Sequence, residues 1–351
     1  MTERKPKRQI MVGSVPVGGG APVAVQSMTK TDTRDVVATV AQIESLVRHG
    51  CELVRAAVPD LDAAIALGEI VKGSKIPVIA DIHFDWRLAL ESIKQGVSGL
   101  RINPGNIGAE WKVREVVAAC KDSGIPIRIG VNAGSLEKDL LKRYGHPTPE
   151  AIVESAEKHI SILEHGGFND IKVSLKGSNI PLTVEAYRLF NGRHDYPLHI
   201  GISEAGPSMR GTVKSSVGLG ILLYEGIGDT VRVSLTAPPE EEVDVAYEIL
   251  KATGRRKKGP DMVSCPTCGR CNVNIIGLAG QVDDRLRNYD RDITVAVMGC
   301  VVNGPGEARE ADYGIAGGKG EGLVFKKGAV VRKVNEKDLL TELFRMIDEE
   351  D

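Results

Sequence analysis

Aromatic residues are scarce in this chain of 351 residues, at 4% of the total with only two Trp. No window reaches the roughly 18 consecutive apolar residues that a membrane span needs. The polar start Met-Thr-Glu-Arg-Lys-Pro-Lys-Arg is not followed by the apolar run of a secretion signal. Both absences predict a cytoplasmic protein. A charge excess is missing too, since 45 basic and 47 acidic residues leave a net −2. That balance predicts no nucleic-acid partner and no membrane surface. The one basic run, Gly-Arg-Arg-Lys-Lys-Gly at 254 to 259, reads as a solvated linker. Flavin and nicotinamide fingerprints are absent from the sequence, so electrons for any redox chemistry must come from elsewhere. Cysteine is sparse as well, with six in all, and four of them fall between 265 and 300.

What is present is an ordinary soluble α/β composition, 42% hydrophobic and rich in glycine. The length exceeds one comfortable core and implies two domains, one of them compatible with a barrel of about 250 residues. Short β-rich runs near 23–27, 52–58, 77–82, 99–103, 126–131, 170–175, 198–202 and 230–235 each precede a stretch of helical period. Eight strand-then-helix units predict a (β/α)8 TIM barrel, with a doubly wound open sheet as the alternative. A hairpin is expected over 9–24, ahead of the first strand. The barrel domain is placed at 1–254, a linker at 255–260 and a small α/β domain at 261–351. In the latter, a helix is expected at 274–290, a strand at 293–298, a hairpin at 322–334 and an acidic helix at 336–350.

Five of the predicted strands carry a long cation in an otherwise apolar run: Arg55, Arg101, Arg128, Lys172 and Arg232. Cations inside a barrel are costly unless paired or facing an anion. Alternation puts Lys172, Ser174 and Lys176 on one face of the sixth strand, with Lys176 nearest the C-terminal mouth where barrel chemistry resides. Asp81, Glu52 or Glu204 could pair with some of these cations. As a set they suit a multiply charged phosphate ester, because guanidinium forks bind phosphate oxygens in pairs. Asp81, His83, Asn103, Asn132, Ser203, Glu204 and Ser234 fall at or near the strand ends and complete a polar mouth. The glycine-containing segment 209–220 lies where barrels often hold phosphate, and packing is an equal reading of it. His199 is read as a satisfied core histidine.

Cys265-Pro-Thr-Cys268 is metal-ligand spacing, with Cys271 and Cys300 following. Four thiolates would close a structural zinc site. The triplet 265, 268, 271 equally resembles the start of a ferredoxin run, which points to iron and sulfur. Cys51 and Cys120 have no partner motif and read as buried small hydrophobes. The Cys-x3-Cys-x2-Cys signature of radical enzymes using S-adenosylmethionine is absent from the barrel region.

The segments Ser-Cys-Pro-Thr-Cys-Gly-Arg at 264–270 and Met-Gly-Cys-Val-Val-Asn-Gly-Pro-Gly-Glu-Ala at 298–308 resemble the cluster motifs of the bacterial 4-hydroxy-3-methylbut-2-enyl diphosphate synthase family. That family belongs to the methylerythritol phosphate route of isoprenoid (terpenoid) biosynthesis. The resemblance extends over nearly the whole chain through the segments 26–35, 80–85, 100–108 and 130–140. It implies one four-iron four-sulfur cluster held by Cys265, Cys268, Cys300 and, unusually, Glu307, with Cys271 a bystander. It also implies substrate contacts at Arg55, Arg101, Arg128, Lys176, Arg232 and Ser234, with Asn303 beside the cluster and Glu204 as the catalytic acid. By the same resemblance the cluster domain is similar to domains of sulfite and nitrite reductases. The protein is expected to be a homodimer whose site is shared between subunits, with reduced flavodoxin or ferredoxin as electron donor.

The implied reaction is reductive ring opening and dehydroxylation of 2-C-methyl-D-erythritol 2,4-cyclodiphosphate to 4-hydroxy-3-methylbut-2-enyl diphosphate. A carboxylate is a harder ligand than thiolate and exchanges more readily on iron, which gives Glu307 a reason to stand where a fourth cysteine would close the cluster.

Overall fold

The structure is a computed structural model that describes residues 2–271, 273–300, 306 and 309–349. The chain divides into two compact units, Met1–Arg256 and Lys257–Asp351.

The first unit is an eight-stranded barrel. After a hairpin of β1 (Ile10–Val12) and β2 (Val15–Val17), the barrel strands are β3 (Ala24–Met28), β4 (Leu53–Ala57), β5 (Val78–Asp81), β6 (Gly99–Ile102), β7 (Ile127–Asn132), β8 (Ile171–Lys176), β9 (His199–Ile200) and β10 (Thr230–Val231). They pair in parallel in the order β8-β7-β6-β5-β4-β3-β10-β9. A parallel bridge between Val173 and Leu198 joins the two ends of that sheet. Helices outside and side chains inside leave both faces of the strands dry. The outward positions are accordingly aliphatic, as with Val54, Ala80, Leu100, Ile129 and Val173, all within one core.

Several helices start close to the C-terminal strand ends and are fixed there by side-chain caps. Asp35, Asp60, Asp85, Thr148 and Asn179 each accept a hydrogen bond from a backbone N–H two or three residues on. The β1–β2 hairpin packs Ile10, Val12 and Val17 against Ala24, Leu53 and Ile79 near the strand starts, which keeps that end of the barrel apolar. The opposite end carries the polar residues.

The second unit is a five-stranded mixed sheet in the order β11-β12-β13-β14-β15. β11 (Asp261–Ser264), β12 (Thr294–Met298) and β13 (Tyr313–Gly317) run parallel, and β14 (Glu321–Lys326) and β15 (Ala329–Asn335) add antiparallel. Helices Ile275–Leu286 and Leu339–Asp348 bury Val282, Leu343, Phe344 and Ile347 against Val295, Val297 and Ile315. The expected helix, strand, hairpin and C-terminal helix are all present. The strands β11 and β13 were not foreseen. β11 is short and largely exposed, and β13 has two glycines in five residues, so neither carries a β signal.

Candidate active site

The register of the barrel stacks the cations side by side. Asp81 stands opposite Arg101, Arg101 opposite Arg128, and Arg128 opposite Lys172. Four residues further along β8, Lys176 stands opposite Asn132. Arg55, Arg101, Arg128, Lys172 and Lys176 are buried, and Arg232 is partly so. Bare backbone makes the room: a Cβ at Gly130 would lie 2.6 Å from Arg101 Nε, and one at Gly201 would lie 2.8 Å from Lys176 Nζ.

Counter-charge is thin. Asp81 reaches Arg101 at 3.2 Å and Arg55 at 3.5 Å, with the half-exposed His83 at 3.6 Å. Burial works to raise the Asp81 pKa, but Arg55, then His83, Arg101 and Arg128, hold it well below the usual carboxylate range. Glu242, from helix Pro239–Ala252, faces Arg232 at 3.6 Å and Lys30 at 3.0 Å and accepts from the Leu235 backbone N–H. Glu52 pairs instead with Arg256 at 2.6 Å. Sequence reasoning missed Glu242, because it is one of three consecutive glutamates and nothing in that run marks which one turns inward.

The surplus of positive charge shows in the pKa values. Burial pushes Arg55 down to about 10, with Asp81 opposing and Arg232 and Arg101 adding to the fall. Burial, then Arg55 and Arg101, lowers Arg128 well below its ordinary value. Lys176 falls well below 10.5 through burial and the nearby Arg128, Arg232, Arg55 and Arg101. Deeper in the barrel, burial and Arg128 push Lys172 down to about 7. The amine of Lys172 and the Nε and Nη1 of Arg128 are buried without a hydrogen-bond partner. Polar atoms in that state are costly unless a ligand satisfies them.

The remaining mouth residues sort differently. Asn103 is committed to capping Pro104–Ile107, accepting from Gly105 N at 3.2 Å. Ser234 is half-buried just beyond β10. Glu204 is exposed and holds a left-handed backbone at φ 53° in the turn after β9. That conformation is uncommon for a residue with a side chain and often marks a functional position. The segment 209–220 forms part of helix Ser208–Tyr224, and two of its three glycines serve packing: a Cβ at Gly211 would meet Leu235, and one at Gly218 would meet Ile202.

In the second unit, β11 and β12 are adjacent parallel strands, with Ser264 opposite Val297. Their C-terminal ends therefore deliver Cys265 and Cys300 to the same crevice, where ligands bind on parallel sheets. The turn after Cys265 passes through Thr267, at φ 66°, and returns Cys268 to the same place. Cys265, Cys268 and Cys300 line one open depression of about 410 Å³, together with Arg270 and Gly299. Hydrogen bonds from Arg270, backbone first and then side chain, lower the Cys268 thiol pKa. Cys271 does not line that depression. It packs on the unit's core, and its thiol donates to the Val273 carbonyl at 3.2 Å. Gly299 keeps the crevice clear, since a Cβ there would lie 2.6 Å from the Cys271 sulfur and 3.3 Å from that of Cys265. Among the described residues no group of three or more metal-binding side chains is already drawn together. Asn303 and Glu307 lie outside the described residues. Cys51 and Cys120 are buried in the barrel core, and burial pushes the Cys120 thiol up to about 12.

Fold and site define an α/β-barrel protein with a cation-lined mouth, joined to a cysteine-bearing domain. The sequence profile of the GcpE TIM-barrel domain matches residues 7–247, and that of the GcpE protein C-terminal domain matches 261–349. The chain belongs to the GcpE family. A relative from Thermodesulfovibrio yellowstonii, named 4-hydroxy-3-methylbut-2-en-1-yl diphosphate synthase (flavodoxin), is 65% identical over 347 residues, 99% of each chain. Relatives of the same name from Geobacter sulfurreducens and Clostridium perfringens are 63% and 57% identical, the first over 97% of each chain and the second over 98% of this chain and 99% of its own. Among solved structures, the dihydropteroate synthase of Yersinia pestis superposes with a TM-score of 0.52 at 12% identity, over 70% of this chain and 97% of that one. That likeness is one of fold. No described helix is long and apolar enough to cross a membrane.

Two outcomes follow from the charge balance. Asp81→Asn leaves Arg55 and Arg101 without their carboxylate, so the barrel should lose about 3–5 kcal/mol of stability. Pyrophosphate should restore part of it, as measured by urea unfolding with and without the anion. The second outcome concerns pH. Because folding depresses the Lys172 pKa from 10.5 to about 7, the unfolded chain binds more protons between those values, and stability gained from this group rises with pH across that window. Lys172→Met should flatten that rise, as read from unfolding at pH 7, 8 and 9.

Proposed function

We propose that this chain catalyses the reductive ring opening of 2-C-methyl-D-erythritol 2,4-cyclodiphosphate to 4-hydroxy-3-methylbut-2-enyl diphosphate. The observation that carries the proposal is the row of buried, under-compensated cations at the barrel mouth, in a chain whose full-length relatives bear that synthase's name. Two electrons and two protons enter, one ring carbon–oxygen bond and one hydroxyl carbon–oxygen bond break, a double bond forms, and the oxygen leaves as water. The barrel, to residue 254, takes the substrate, and 261–351 is the cluster domain.

The donor set fits an iron–sulfur cluster: three thiols share one depression, one thiol has a lowered pKa, and the glycine between them leaves space for a bulky group. In our reading Cys265, Cys268, Cys300 and Glu307 hold one four-iron four-sulfur cluster, which when bound supplies the electrons one at a time. Arg55, Arg101, Arg128, Lys176 and Arg232 grip the diphosphate and stabilise the charge it gains as the ring bond breaks, because fixed donors in a dry site need no reorganisation. Ser234 adds a hydroxyl contact, and Asn303 a polar one beside the cluster. Glu204 donates the proton with which the hydroxyl departs as water.

Reduced flavodoxin is the favoured electron donor, given the relatives' names, with ferredoxin the alternative. We place the protein in the cytoplasm as a homodimer whose reaction site is shared between subunits. The exposed stripe of Met209, Val213, Val217, Ile221 and Tyr224 on helix Ser208–Tyr224 offers apolar surface for such an association.

Metal analysis of anaerobically purified protein tests the reading. Iron and acid-labile sulfide near four per chain are expected, and stoichiometric zinc without sulfide would end it. Cys271→Ser should keep the cluster's absorption and the turnover rate, whereas Cys300→Ser should lose both. Loss of the cluster on changing Cys271 alone would mean that the ferredoxin-like spacing names the true ligands. For the shared site, mixing inactive Glu204→Gln with inactive Cys300→Ser protein is expected to restore part of the activity. No recovery despite demonstrated subunit exchange would count against the arrangement.

A further inference from the structure

His199, in β9, is fully buried, and it touches a residue assigned above to the substrate's diphosphate. Its Nε2 lies 3.1 Å from Lys176 Nζ, and its Nδ1 lies 2.8 Å from Thr230 Oγ1 in β10. The backbone around the ring is held as well: Tyr187 donates its hydroxyl to the His199 carbonyl at 2.7 Å and accepts from Leu175 N at 3.1 Å. On the far side, the Lys176 chain crosses the bare backbone of Gly201, where a Cβ would come within 2.8 Å of Nζ and 3.2 Å of Cε. Lys176 thus runs between an imidazole edge and a glycine.

The electrostatics decide how the imidazole is used. Burial first, and then the charged groups around it, Lys176 and Lys172 from β8, Arg128 from β7 and Arg55 from β4, oppose a positive charge on the ring and hold its pKa well below the ordinary value. The ring is therefore neutral, with one nitrogen donating and the other accepting. An ammonium can only donate. For Lys176 to meet an anion in its charged form, His199 Nε2 must be the acceptor, so Nδ1–H must donate to Thr230.

We propose that His199 is a positioning residue: its Nε2 lone pair, free while Nδ1–H donates to Thr230, fixes the Lys176 ammonium for the substrate's diphosphate. This rests on the reading of Lys176 as a diphosphate contact. The acceptor offsets part of the burial and cation repulsion that disfavour the ammonium. Without it, Lys176 loses its proton at lower pH, and with it the affinity for the anion.

The test is anaerobic calorimetric titration of oxidised holoprotein with the cyclodiphosphate between pH 6 and 9, a condition without electrons and hence without turnover. His199→Leu should weaken binding by roughly ten- to a hundredfold, as for loss of one hydrogen bond to a charged group. The fall of affinity with rising pH should also begin at lower pH. His199→Gln, which retains an acceptor, should recover most of both effects. In a Lys176→Met background, His199→Leu should add nothing further. Equal loss in both backgrounds, or an unchanged pH profile while Lys176→Met does weaken binding, would overturn the positioning role and leave the substrate reading standing. Unchanged affinity in Lys176→Met itself would instead remove the reading beneath it. Should His199→Leu not fold, Thr230→Val keeps the volume and removes the acceptor of Nδ1–H, which disfavours the tautomer with a free Nε2 lone pair: a shifted pH profile supports the proposal, and an unshifted one refutes it.

Discussion

Charge buried without enough counter-charge is the constraint on which the barrel depends. Arg55, Arg101, Arg128, Lys172, Lys176 and Arg232 surround one interior, while the carboxylates of Asp81 and Glu242 lie against them. An apolar interior of the same volume would be more stable, since buried ions recover their desolvation cost only when well paired. The glycines at 130 and 201, the helix-borne Glu242 and the buried His199 make sense as means of holding these cations apart and oriented until an anion completes the site. On the proposed reading the barrel is pre-organised for a polyanion, at the expense of stability.

The second unit solves a different problem with a similar economy of structure. Two adjacent parallel strands end at the same level, so that residues far apart in the sequence, Cys265 and Cys300, emerge side by side without any long connection. The tight turn through Thr267 then adds Cys268, while Cys271, only three residues on, has already turned into the core. A spacing alone does not distinguish a thiol that faces the crevice from one that faces the core. Here Cys265, Cys268 and Cys300 line the depression, whereas the Cys271 thiol donates to the Val273 carbonyl.

Much of this was legible in the sequence, for identifiable reasons. A barrel strand buried on both faces must be a short aliphatic run, and eight such runs with intervening helical periods leave few alternatives; all eight strands lie within or beside the expected runs. The cations were legible because Arg or Lys interrupting Val and Ile is conspicuous. Their counter-ions were legible only in part: Asp81 ends its own strand, but Glu242 comes from a helix whose acidic start looks like a solvated first turn. His199 was read as a satisfied core histidine, and satisfied it is, but its partner is Lys176, which only the pairing of β8 beside β9 could disclose. β11 and β13 escaped notice because short, exposed or glycine-rich strands owe their existence to neighbouring strands rather than to propensity.

The central claim is that the interior cations exist to bind the substrate's diphosphate. The most direct measurement is the affinity of oxidised holoprotein for the cyclodiphosphate, wild type against Arg128→Met, as a function of salt. Arg128 sits in the middle of the row, with two guanidinium nitrogens unpartnered. The account predicts a loss of at least about a hundredfold for a charge-assisted, forked contact, together with a shallower dependence on salt. Undiminished affinity in a folded Arg128→Met protein would contradict it.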